Sequence, residues 1–119
     1  MNSGAKLVLK LLRKASAFSY INYVGMVSQQ KALNIKIYGK VQRVACRSFL
    51  FERAVELSIK GHVKNMTDGT VVVFAMGTNL QLDEFLEWCH KGSPTARVKK
   101  VEVEVAELSK EIDFRIIRN

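Results

Sequence analysis

The first half of this chain is almost empty of negative charge. No aspartate or glutamate occurs before Glu52. The 119 residues carry 19 lysines and arginines against 11 acids, a formal charge of +8. A balance of that sign fits an anionic partner, whether nucleic acid, an anionic membrane or a small phosphorylated molecule. Cysteine is scarce as well: Cys46 and Cys89 are the only two. Two cysteines do not make a disulfide framework, and a reduced cytoplasmic setting is the simplest reading. Cys46, His62, Cys89 and His90 show no zinc-type spacing, so neither a metal nor any other cofactor is expected. No apolar run reaches the roughly 20 residues that span a bilayer, which speaks against stable membrane insertion. What is abundant is apolar surface. At 48% it suffices for one compact two-layer core, and the length allows one domain at most.

Residues 1–32 stand apart from the rest. They hold Lys6, Lys10, Arg13 and Lys14, an apolar cluster around Leu7, Leu9 and Leu12, and no acid. A basic amphipathic helix at a membrane surface, a targeting peptide and a poorly ordered extension all fit that pattern. The last is the preferred expectation, which leaves residues 33–119 as the folded domain.

From Leu33 onward the periodicity is regular. Residues 33–38 alternate apolar and polar side chains as a half-buried strand does. Residues 48–59 read as a helix with Leu50, Ala54 and Leu57 on one face. Residues 61–65 and 70–76 read as strands joined by a turn at Asp68-Gly69. Thr78-Asn79-Leu80-Gln81 has the form of a capping box that opens a second helix, with Leu82, Phe85, Leu86 and Cys89 on its apolar face. Gly92 and Pro94 stop that helix. Residues 101–105 and 114–116 supply two more strands. The order βαββαβ with a short extra C-terminal strand predicts an α+β, ferredoxin-like sandwich, two helices covering one face of an antiparallel sheet.

The stretch Gly39-Lys40-Val41-Gln42-Arg43-Val44-Ala45-Cys46-Arg47 lies between the first strand and the first helix. A short strand-to-helix loop turns backbone N–H groups in one direction, and the helix start adds free N–H groups and a partial positive charge. Such a loop is a candidate anion cradle. It ends in Arg47, whose guanidinium grips two phosphate oxygens at once. A second motif, Gly61-His62-Val63-Lys64-Asn65 with Gly69 and Val71 beyond it, follows one helix later.

The pair of motifs Gly-x-Val-Gln-x-Val-x-x-Arg and Gly-x-Val-x-Asn-x-x-x-Gly-x-Val resembles the acylphosphatase family. Gly77 and Gly92-Ser93-Pro94-Thr95-Ala96-Arg97-Val98 extend the resemblance over residues 33–119. It implies hydrolysis of an acyl phosphate to a carboxylate and inorganic phosphate, by a monomer without cofactor. It implies that Arg47 holds the phosphate and Asn65 the attacking water. Gln42, Arg43, Val44, Ala45 and Cys46 then supply the phosphate-binding loop, which inorganic phosphate or sulfate can also occupy. The chain departs from the family at three positions. Arg43 stands where glycine is usual, and Cys46 and His62 where aromatics are. Looser packing around the cradle is expected there. Cys46 reads as structural rather than nucleophilic, because no base is evident beside it. The alternative function is a non-catalytic anion-binding or RNA-binding module of the same fold. RNA recognition on such a sheet uses aromatics within a basic motif on the third strand, and residues 70–76 offer only Phe74.

Overall fold

Strand β1 (Lys31–Lys40) begins two residues earlier than its alternation suggests, in a computed structural model that describes residues 29–118. The expectations for residues 1–28 lie outside the described residues. After β1 come α1 (Cys46–Glu56), β2 (Lys60–Asn65), β3 (Val71–Gly77), α2 (Asn79–Lys91), β4 (Arg97–Ala106) and β5 (Phe114–Ile117). The strands form one sheet in the order β4-β1-β3-β2-β5. Neighbours within β4-β1-β3-β2 are antiparallel, but β5 joins β2 in parallel. The βαββαβ sandwich therefore stands as read, with a mixed rather than wholly antiparallel sheet.

Helix α1 runs from Cys46 to Glu56 instead of 48–59. Its end explains the difference. Ser58 takes φ 59°, its N–H donates to Val55 O and the Ile59 N–H reaches back to Ala54 O at 2.9 Å. This is a Schellman closure in which serine stands where glycine usually signals the stop. The second helix starts as its sequence says. Thr78 N–H donates to Gln81 Oε1 at 2.8 Å and Gln81 N–H donates to Thr78 Oγ1 at 3.3 Å.

Both helices cover the same side of the sheet. Ile35, Ile37, Val63, Val71 and Val73 meet Leu50, Ala54, Leu82, Phe85 and Cys89 there in one buried cluster. Burial of that apolar surface, at about 25 cal/mol per Å², is the main stabilising term. Phe114 from β5 closes the cluster, with its ring 6.1 Å from Phe85. Cys46 belongs to it too at 2% exposure, so the packing beside the cradle is not loosened at that position.

The opposite face of the sheet is open. Asn34, Lys36, Tyr38, Phe74, Glu102 and Glu104 line a shallow depression on it. Lys36 is held by Asp68 at 3.2 Å, and Glu102 pairs with Lys100 at 3.5 Å. Two carboxylates on this face and a lysine already engaged make a poor surface for a polyanion, and they weigh against the RNA-binding alternative.

Candidate active site

Strand β3 runs antiparallel to both β1 and β2, so β1 and β2 point the same way, and β5 follows β2. The carboxyl ends of β1, β2 and β5 thus meet at one end of the sheet. The loop after β1, Asn65 at the end of β2 and Arg118 just past β5 come together there. Arg43, Ala45, Arg47, Asn65 and Arg118 line a cavity of about 90 Å³. A wider groove of about 510 Å³ shares Arg47, Asn65 and Arg118 with it and adds Gln42, Met66 and Thr67.

Two glycines fix close strand approaches, Gly39 beside the cradle and Gly61 at the far end of β2. Gly39 has φ 127°, and a Cβ there would lie 2.1 Å from Arg97 O. The β1–β4 register slips at this point, between Tyr38 and Gly39. Gly61 has φ 144°, and its Cβ would lie 1.8 Å from Phe74 O. Side chains rarely occupy such φ values, so neither site admits one.

The loop itself carries positive φ at alternate residues, Arg43 at 61° and Ala45 at 59°. That alternation turns successive N–H groups to one side and forms a nest for an anion. Ala45 is the N-cap of α1 and makes no side-chain cap. The helix ladder opens with Phe49 N–H to Ala45 O at 3.0 Å. The N–H groups of Cys46, Arg47 and Ser48 therefore have no acceptor within the helix. The first turn of α1 holds no acidic residue, so the helix dipole adds its positive end unopposed.

The remaining loop contacts hold the cradle in shape. Gln42 Nε2 donates to Met66 O at 2.7 Å and to Thr70 O at 2.9 Å, tying the loop to the β2–β3 turn. Its side chain is thus a strap rather than a phosphate ligand. Ser93 is 3% exposed, and its hydroxyl donates to Val44 O at 2.6 Å. A trans peptide aims its C=O and N–H in opposite directions. Anchoring the Val44 carbonyl on Ser93 therefore directs the Ala45 N–H away from the α2–β4 loop. The Cys46 thiol is pushed up by burial, against a hydrogen bond to the Ser93 backbone, so it stays neutral near pH 7. A neutral, buried thiol agrees with a structural role.

The two residues singled out in sequence, Arg47 and Asn65, lie in one cavity, and Arg43 joins them. His62 does not. It stacks on Phe74 at 5.6 Å and meets Glu111 Oε1 at 2.7 Å on the open face. Two participants escaped sequence reasoning. Ser93 has a trace in the Gly92-Ser93-Pro94 stretch after the second helix, although nothing there says that it reaches the cradle. Arg118 depends on the parallel β5–β2 pairing, whose last pair is Lys64–Ile117. Asn65 and Arg118 each lie one residue past that pair, a juxtaposition with no local signal.

A family model described as acylphosphatase matches residues 33–116. An acylphosphatase of Shewanella amazonensis is 42% identical over 86 residues, 71% of this chain and 94% of that protein. One from Archaeoglobus fulgidus is 45% identical over 85 residues, 71% of this chain and 96% of the relative. A solved acylphosphatase structure from Coxiella burnetii aligns at TM-score 0.72 and 32% identity, covering 74% of this chain and 93% of that one. Sequence family, shared fold and relatives matched over nearly their whole length agree: the chain belongs to the acylphosphatase family.

Proposed function

We propose that this acylphosphatase hydrolyses its substrates in the cavity that Arg47 and Asn65 share, with Arg47 and the loop of residues 42–46 holding the phosphoryl group and Asn65 holding the water. The observation that carries this reading is the convergence itself. A nest of N–H donors, a guanidinium and a neutral amide line one small cavity. No carboxylate or imidazole lines it among the described residues.

That composition suits an acyl phosphate. The water oxygen attacks phosphorus as the bond from phosphorus to the acyl oxygen breaks, and the carboxylate leaves with the bonding pair. A carboxylate is a weak base, so its departure needs no general acid. Both water protons end on phosphate: the dianionic mixed anhydride and water become a carboxylate and dihydrogen phosphate. The protein's part is positioning and charge stabilisation. Arg47 stays protonated and cannot act as base, and Asn65 does not titrate. The attacking water therefore passes its proton to a phosphoryl oxygen of the substrate. The finer setting proposed is a cytoplasmic monomer; the two free thiols kept inside the core support the reducing compartment alone. Light scattering on a size-exclusion column tests the monomer against its mass of 13.5 kDa.

Benzoyl phosphate hydrolysis tests the assignment. Arg47→Ala is expected to abolish turnover and phosphate inhibition together. Asn65→Ala is expected to lose at least about a hundredfold in kcat, the scale of one positioning group, while keeping its thermal melt. Hydrolysis at the parental rate by Asn65→Ala would remove the water-holding role. The kcat of the wild type should stay flat between titration of the substrate's phosphate and unfolding, and His62→Ala should leave that profile unchanged. A neutral limb that disappears in His62→Ala would overturn the base-free scheme.

A further inference from the structure

More positive charge surrounds the cavity than one phosphoryl group requires. Arg43, Arg47 and Arg118 all line it, and Arg118 also lines the wider groove. Among the described residues, no carboxylate lies within ion-pair distance of any of the three. Three guanidinium groups with no carboxylate beside them among the described residues repel one another, and a ligand carrying extra negative charge relieves that repulsion. Arg43 strengthens the case. It stands in the left-handed region at φ 61°, where glycine would be unstrained, and it still borders the cavity. A glycine there would supply the same backbone without the charge.

Resting on the phosphate site proposed above, we infer that Arg43 and Arg118 form an accessory anion site selecting acyl phosphates whose acyl group bears a second anionic group. Arg47 and the nest take the phosphoryl end. Arg118, at the rim shared with the groove, takes a carboxylate or phosphate on the acyl side, and Arg43 adds field from across the cavity.

The test compares kcat/KM for 4-carboxybenzoyl phosphate and 4-carbamoylbenzoyl phosphate, which nearly match in shape and differ in charge. The wild type should favour the carboxylate by about five- to tenfold at low salt, the scale of one or two half-screened ion pairs. Arg118→Gln and Arg43→Gln should each pull that ratio toward one. The ratio compares two substrates on one protein, so it does not depend on the absolute rate of a variant. In the wild type alone, raising salt from about 20 to about 500 mM should shrink the preference, because the Debye length falls well below 10 Å. Hydrolysis of both substrates with a ratio near one, or a ratio unmoved by both variants and by salt, overturns the accessory site and leaves the phosphate site standing. Failure of the wild type to hydrolyse either substrate overturns the phosphate-site reading, and the accessory site with it.

Discussion

At the scale of single residues, the sign of φ does not by itself decide what a position tolerates. Arg43 and Ala45 lie near φ 60°, inside the left-handed basin that side chains enter at a cost of about 1 kcal/mol. Gly39 and Gly61, at 127° and 144°, lie outside it and press against carbonyl oxygens. The arginine at position 43 is therefore an affordable departure from the family, whereas a side chain at 39 is not. Gly39→Ala is expected to lose about 2–4 kcal/mol, from combined clash and strain, as read by urea unfolding. A loss below about 1 kcal/mol would mean that the β1–β4 bulge relaxes around the methyl group.

At the scale of elements, the cradle leans on a neighbour far away in sequence. Ser93, just beyond α2, holds the Val44 carbonyl, with Thr95 Oγ1 a weaker partner at 3.5 Å. Ser93→Ala leaves that carbonyl with the weaker bond alone. It is expected to cost about 1–2 kcal/mol of stability and to raise the inhibition constant of inorganic phosphate several-fold. Thermal melts and phosphate inhibition read the two effects separately, and unchanged phosphate inhibition would reduce Ser93 to a packing role. The same element shows where sequence reading runs out. The strands with strict alternation, the Thr78–Gln81 box and the Asp68-Gly69 turn were legible, because their signals lie within a few residues. The end of α1 was not, because Ser58 takes a glycine's conformation. Arg47 and Asn65 were legible from two spaced motifs. Ser93 and Arg118 reach the site only through tertiary pairing, which leaves no periodic trace.

At the scale of the whole molecule, acid should act on stability through the β2–β3 turn to which Gln42 ties the cradle. Asp68 accepts from Thr70 Oγ1 at 2.6 Å and from Thr70 N–H at 3.0 Å. Those bonds, aided by Lys36, hold its carboxyl down to about 2. The unfolded value is about 3.9. A carboxyl lowered on folding contributes stability that is fully present above the unfolded value and is lost as pH falls through the folded one. Melting temperature should therefore drop between about pH 4 and pH 2, and Asp68→Asn should shallow that drop. Parallel acid profiles for the two proteins would assign the loss to other carboxylates.

Gln42 reaches from the loop after β1 to the turn after β2, two strands that do not touch because β3 lies between them. Its amide serves as a rung where the sheet offers none. On the proposed assignment, the two arms of the reaction, the loop that would grip phosphate and the strand end that would present water, are thereby spaced before any substrate arrives. Substrate binding then spends little of its free energy on bringing them together, and the entropy of alignment is met once, when the chain folds.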